Sequence, residues 1–264
     1  MSIPDEWRVV LDVLREKPAG LFTDIDGTIS PIAPTPGEAR VLPEAAEALA
    51  ALVPKLSVVG AVTGRATQYA YEMVGVPGML YTGNHGLEEM EDGVIRLIPE
   101  AEPYAGKVHV VFEQARPQVS VPGLLWEDKG ITGSVHYRQA PDKQLAEQEI
   151  VGVLRPLAEG AGMRLYEGRM IVELRPALNL GKGAAIRRLV ERQGLRGCAF
   201  LGDDITDTEG FRVLREMREA GRVRAVCVGV LSAETPPAVL ELADVTVEGV
   251  PAVAALLEWL SHNL

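Results

Sequence analysis

Two carboxylates stand two residues apart in Asp24-Ile-Asp26, directly after the apolar run Ala19-Gly-Leu-Phe-Thr23 and before Gly27-Thr28. If that run is a buried strand, both acids sit at its carboxyl end, where open α/β sheets bind ligands. Gly27 permits the sharp turn such a placement needs. Asp and Gly also end strands for purely structural reasons. Yet two acids at a buried strand end, with no cation adjacent in sequence, cost stability that a bound metal would offset. Thr63, in Val62-Thr-Gly-Arg65, brings a hydroxyl to the end of a second apolar run, and the helix after it offers free N–H groups. Lys182, between Gly181 and Gly183, opens a helix, where its charge opposes the helix dipole. It is either a solvated lysine or one with a negative partner. Gly202-Asp-Asp-Ile-Thr-Asp207 adds further acids after the apolar run Cys198–Leu201. Carboxylates so close repel one another unless a divalent cation joins them, and hard oxygen donors without a histidine cluster favour Mg²⁺ over zinc. N-capping by Asp204, Thr206 or Asp207 is the structural alternative for one of them and can coexist with metal binding.

These residues need elements that bring them to one edge. A helix is expected from Pro4 to about Lys17, then the strand of Ala19 to Ile25, and a helix over Pro43–Val53 with proline in its first turn. The almost wholly apolar Leu56–Val62 suits an interior parallel strand. Ala66–Val74 reads as helix and Met79–Thr82 as a short strand. The alternation returns with helix Lys182–Gln193, strand Gly197–Leu201, helix Thr208–Ala220 and strand Val223–Val228. A short helix, Val245-Thr-Val247 and a last helix from Pro251 close the chain. Strands alternating with helices imply a parallel sheet covered on both faces.

The middle of the chain has another period. In Val135-His-Tyr-Arg138 and Val172-Glu-Leu-Arg175 apolar and polar residues alternate, as in strands with one face buried. Helical stretches at about Tyr104–Ala115 and Asp142–Glu159 could cover the apolar side. The polar side either faces solvent or serves as a lid. The expected organisation is a core of residues 1–105 and 177–264 with an α+β unit, 106–176, inserted into it.

The chain has 264 residues, enough for such an arrangement, with 47% hydrophobic residues and an ordinary 24% charged. A net charge of −11 argues against general binding of nucleic acid or anionic membranes, so an anionic ligand needs a local cluster of positive groups. The two cysteines, Cys198 and Cys227, lie in apolar runs and read as buried free thiols rather than a disulfide. No apolar signal-peptide core and no run long enough to span a bilayer is present, so a cytoplasmic location is expected.

Asp-x-Asp-Gly-Thr, then Ser/Thr, Lys and an acidic pair, in this order and at strand ends, resembles the haloacid dehalogenase-like (HAD) phosphatases. A closer resemblance reaches into the middle. Gly83-Asn-His-Gly86, Glu127-Asp-Lys129 with His136-Tyr-Arg138, Glu173-Leu-Arg-Pro176, Lys182-Gly183 and Gly202-Asp-Asp-Ile-Thr-Asp207 together are similar to trehalose-6-phosphate phosphatases. Thr208 departs from the acidic residue usual there, with Glu209 a possible substitute, and Thr63 stands where serine is common.

The resemblance implies a Rossmann-like parallel-sheet core with an inserted α+β cap, and Mg²⁺-dependent hydrolysis of trehalose 6-phosphate to trehalose and phosphate through an aspartyl-phosphate; a monomer is expected. Asp24 would be the nucleophile and Asp26 the acid and base. Thr63 and Lys182 would hold the phosphoryl group. Asp24, the main-chain carbonyl of Asp26, and Asp203 would hold Mg²⁺, with Asp207 orienting waters or Lys182 and Asp204 a weaker candidate for that surround. Glu127, Lys129 and Glu173 would grip sugar hydroxyls, joined by His136, Arg138, Arg175 and, from core loops, Arg65, Asn84 and His85. Ion pairing of Arg138 or Arg175 with Glu127 or Glu173 is the structural alternative. A phosphatase of another sugar phosphate, such as a glucosyl- or mannosyl-glycerate phosphate, fits the same residues. So does a silent sugar-phosphate sensor, although retention of the whole catalytic set speaks against it.

Overall fold

A computed structural model describes residues 5–91, 93–168 and 170–264. The chain opens with α1 (Asp5–Leu14), β1 (Ala19–Thr23), α2 (Pro43–Leu52), β2 (Val58–Val62), α3 (Thr67–Val74), β3 (Leu80–Gly83), β4 (Glu88–Glu91) and β5 (Val94–Leu97). It continues through α4 (Lys107–Ala115), β6 (Leu125–Asp128), β7 (Gly133–His136), α5 (Lys143–Gly160), β8 (Met163–Gly168) and β9 (Ile171–Pro176). It ends with α6 (Lys182–Arg192), β10 (Gly197–Gly202), α7 (Asp207–Glu219), β11 (Arg224–Leu231), α8 (Pro237–Leu242), β12 (Val245–Glu248) and α9 (Gly249–Asn263). Two compact units result, Met1–Arg96 with Leu180–Leu264, and Leu97–Asn179. The junctions thus fall at 96/97 and 179/180, where the sequence pattern places them at 105/106 and 176/177.

The first unit is built on an eight-stranded sheet in the order β12-β11-β10-β1-β2-β3-β4-β5. Pairing from β12 to β3 is parallel throughout. The hairpin partner β4 then runs antiparallel to β3, so the sheet is mixed rather than wholly parallel. Successive residues of β1 point to opposite layers. Leu21 joins a core with Leu14, Leu49 and Leu256, from α1, α2 and α9. Phe22 joins another with Ile186, Phe211 and Val239, from α6, α7 and α8. Every residue of β1 and β10 is buried, which explains their unbroken apolar character. In register, Thr23 of β1 lies between Ala61 of β2 and Leu201 of β10. The residues that follow, Asp24, Thr63 and Asp203, therefore emerge at one edge.

The second unit is an antiparallel sheet in the order β6-β7-β9-β8. Val135, Val172 and Leu174 line its apolar face, packed on Val108 and Phe112 of α4 and Ile150 and Leu154 of α5. Asp142 caps α5 by accepting from the Leu145 N–H at 2.9 Å. The helix expected from Tyr104 starts only at Lys107, because Gly106 takes a left-handed φ of 76° and breaks it from the preceding turn.

Candidate active site

Asp24 extends the ladder by one bond, its N–H donating to Leu201 O at 2.9 Å. The chain then folds back tightly, with Gly27 N–H to Ser30 O at 2.7 Å and Ser30 N–H to Ile25 O at 2.9 Å. Gly27 has φ 83°, and a Cβ there would collide with the Asp203 carboxylate, so the turn and the close approach both require glycine. Thr28 Oγ1, a contact the motif pattern contained but to which no role was given, donates to Asp203 Oδ1 at 3.3 Å.

Lys182, the first residue of α6, joins the acids. Its Nζ lies 2.8 Å from Asp24 Oδ1 and 2.7 Å from Asp207 Oδ1. The lysine at a helix start thus has negative partners. Asp207 Oδ2 accepts from the N–H groups of Asp203, at 3.1 Å, and Asp204, at 3.0 Å. Asp207 is turned back onto the strand end, and the N-cap residue of α7, Thr206, makes no side-chain cap bond. The capping role considered for Thr206 is therefore not seen.

Oxygens of Asp24, Asp203 and Asp207 lie within 4.8 Å of one another, and all three residues are buried. Burial raises the Asp24 carboxyl to about 7; Lys182 opposes that rise, while Asp207 and Asp26 add to it. Burial, then the charges of Asp24 and Asp207, raise Asp203 to about 8. Burial alone would lower the Lys182 ammonium, but Asp207 and Asp24 raise it above its ordinary value. One ammonium facing three acids leaves a deficit of positive charge. Oxygen donors this close, without histidine or thiolate, fit a hard divalent cation.

Asp26 stands apart from this cluster, bound through both oxygens by Arg65, from Nε to Oδ2 and from Nη2 to Oδ1, each at 2.6 Å. Arg65, expected to meet sugar, spends its fork on the neighbouring acid. Thr63 is buried, and its hydroxyl accepts from Arg65 N–H at 3.3 Å. The Asn84–His85 turn is hung on the same segment: Asn84 N–H donates to Arg65 O at 2.7 Å and His85 N–H to Thr63 O at 2.9 Å. Both residues are buried and left-handed, with φ 48° and 58°, a strained choice for side-chain-bearing residues. The His85 ring packs so closely on Gly64 that a Cβ at 64 would lie 2.6 Å from it.

In the second unit the polar groups fall into two sets. His136 Nε2 and Glu127 Oε2 are 3.0 Å apart. Glu173 Oε1 accepts from Lys129 Nζ at 3.1 Å, and its Oε2 from Arg175 Nε at 3.0 Å and from Nη2. Register accounts for part of this, since Glu127 faces Ser134 and Ser134 faces Glu173. Arg175 thus makes the ion pair considered for it. Arg138 lies beyond the end of β7, exposed, and joins no ion pair among the described residues.

The trehalose-phosphatase family model matches residues 22–237, a stretch that contains every one of these groups. The chain belongs to the trehalose-phosphatase family. A trehalose-phosphate phosphatase of Mycobacterium leprae is 31% identical over 233 residues, 83% of this chain and 54% of that protein. The chain thus spans about half the length of the curated relatives it matches. Among solved structures, a trehalose-6-phosphate phosphatase related protein aligns with a TM-score of 0.77 at 22% identity, covering 92% of this chain and 97% of that one. The C-terminal domain of Candida albicans trehalose-6-phosphate phosphatase aligns at 0.76 and 21% identity, covering 97% and 96%. The likeness to these structures is one of fold, with a mostly parallel central sheet.

This trehalose-phosphatase family member carries Thr208 beside the acidic loop, and its hydroxyl turns inward to donate to Ile205 O at 2.6 Å. Glu209 lies one residue further along α7, its carboxylate against Gly181, where any Cβ would strike it. An acid at the start of α6 suits the positive end of that helix and offsets the unfavourable placement of Lys182.

Proposed function

We propose that the protein hydrolyses trehalose 6-phosphate to trehalose and phosphate, with Mg²⁺ as its metal. The observation that carries the reading is the buried junction of Asp24, Lys182, Asp203 and Asp207 at one sheet edge, drawn from chain segments far apart in sequence. Asp24 and Asp203, with the main-chain carbonyl of Asp26, would hold the cation, and Asp207 lies within ligating reach. A bound Mg²⁺ neutralises charge on the phosphoryl oxygens and makes phosphorus more electrophilic.

The chain's own groups divide the work. Asp24 attacks phosphorus in line while Asp26 gives a proton to the departing sugar oxygen, leaving an aspartyl-phosphate. Asp26 then takes a proton from the water that attacks this phosphorus, which frees Asp24 and inorganic phosphate. Lys182 neutralises charge beside Asp24, and the Thr63 hydroxyl holds a phosphoryl oxygen. Asp207 keeps Lys182 aimed and pins the Asp203–Asp204 backbone.

Specificity is assigned to the polar groups of the inserted unit. Glu127, bonded to His136, and Glu173, bonded to Lys129 and Arg175, can exchange those bonds for pairs of sugar hydroxyls, with Arg138 on the same unit. Buried thiols at Cys198 and Cys227 suit a reducing cytoplasm, and a single chain contains the whole residue set. Among the described residues no helix is long and apolar enough to cross a membrane. Phosphate release is to be measured from trehalose 6-phosphate and glucose 6-phosphate, with and without Mg²⁺. A large preference for the disaccharide ester, dependent on Mg²⁺, is expected; equal rates would defeat the substrate assignment.

A further inference from the structure

Arg65 ties together three segments of the core unit. Its Nε and Nη2 bind the two oxygens of Asp26, a fork-to-fork pairing that fixes the plane of the carboxylate as well as its place. Its Nη1 donates to the Pro36 carbonyl at 3.2 Å. The same carbonyl accepts from Tyr69 Oη at 3.1 Å, and the guanidinium lies 4.9 Å from the centre of the Tyr69 ring. Pro36 belongs to the turn after the catalytic loop, and Tyr69 to the first turn of α3. The Arg65 side chain is only 10% exposed and that of Asp26 31%, so this is a shielded pair rather than a solvated surface one.

We propose that Arg65 is the positioning residue for proton transfer, holding the Asp26 carboxyl so that one of its oxygens is aimed at the oxygen leaving phosphorus. The inference rests on the phosphatase reading above but not on which sugar is the leaving group. As the P–O bond breaks and the Asp24–phosphorus bond forms, the proton passes from Asp26 to the departing alkoxide, and Asp26 becomes the carboxylate that Arg65 grips through both oxygens. In the acid form one oxygen carries the proton and turns to the ester, while the other stays on the guanidinium. A lysine in the same place supplies charge but no fork, so it cannot fix the plane. Two other roles make different demands. A sugar contact alters KM with the sugar ester. A latch for the Pro36 turn alters every substrate alike.

The test compares leaving groups. Arg65→Lys and Arg65→Gln are assayed, with Mg²⁺, on trehalose 6-phosphate and glucose 6-phosphate, whose alkoxides need a proton, and on p-nitrophenyl phosphate, whose phenolate leaves without one. We expect kcat/KM, which reports the first phosphoryl transfer and not the later hydrolysis of the aspartyl-phosphate, to fall on the order of tenfold to hundredfold on the alkyl esters and to stay within about threefold on the aryl ester. Arg65→Gln added to Asp26→Asn should bring no further loss. The ratio of the two rates does not depend on how much of a variant is folded, so an unstable variant still gives an answer. Equal losses on both ester classes, or a further loss in the double variant, overturn the proposal. Wild-type failure on trehalose 6-phosphate alone overturns the sugar assignment instead, and Arg65 is then judged on glucose 6-phosphate.

Discussion

In the eight-stranded unit three buried carboxylates share one ammonium; in the four-stranded unit the single carboxylate of Glu173 shares a lysine and an arginine. The first arrangement lacks positive charge, a deficit that a cation would offset. The second is satisfied as it stands. Its groups come from neighbouring strands, and hydroxyl groups of suitable spacing can replace its bonds one for one. Chemistry and selection are thereby built differently. On the proposed reading, the reacting centre is held under electrostatic stress that a cation would relieve, whereas the inserted unit offers a relaxed polar surface whose exchanges with a ligand would be nearly balanced.

That contrast can be broken by substitution. Asp24→Asn removes the attacking oxygen, and kcat should fall by at least about a thousandfold while ligand binding persists, as isothermal titration with a non-hydrolysed phosphate mimic would read. Asp203→Asn should weaken the apparent Mg²⁺ affinity on the order of tenfold to hundredfold, measured as the Mg²⁺ dependence of turnover. The same change should raise the melting temperature of the metal-free protein by a few degrees, because it removes an uncompensated buried charge. Stabilisation together with inactivation is the signature of a strained centre; a lower melting temperature would show that the charges were balanced after all. Glu173→Gln should act mainly on KM for the sugar ester, by about tenfold, and leave p-nitrophenyl phosphate nearly unaffected. A comparable loss on the aryl ester would erase the division between the two units.

A pH series sharpens the comparison further, with the smallest effect. Carboxyls raised by burial to about 7 at Asp24 and about 8 at Asp203 bind protons more tightly folded than unfolded. Their contribution to stability is present below the unfolded carboxyl range and is lost as pH rises through about 7 and 8. Without metal, the melting temperature should drift down between pH 5 and 8, and the increment given by Mg²⁺ should grow over the same interval. A flat increment would count against the acids as its ligands.

The reacting centre was legible because each of its parts is announced locally. Asp24, Thr63 and Asp203 follow apolar runs directly, and Lys182 sits where a lysine is unfavourable. What escaped depends on partners far away in sequence. Strands β4 and β5 gave no signal, since Glu88-Glu-Met-Glu91 carries acids toward both faces. Glu88 is nevertheless buried, accepting from the Thr67 N–H at 2.6 Å, and Glu89 is paired by Arg188 and Arg192. Arg65 read as a sugar contact because an arginine on a loop at a sheet edge has no local sign of its partner, and Asp26 is 39 positions away. Arg138 and Arg175 share the same alternation, yet only Arg175 has a carboxylate two residues before it on its own strand.

The place of β1 in the sheet bears on how the protein is made. One of its edges is matched by β2 soon after synthesis, but the other waits for β10, which the ribosome delivers only after the entire inserted unit has been built. Until then the nascent chain carries an open hydrogen-bonding rim beside Asp24. The insert, with its own core and near-neighbour contacts, is free to fold in the interval. On the proposed reading, the site is therefore assembled only when Gly197–Gly202 pairs with β1 and brings Asp203 with it.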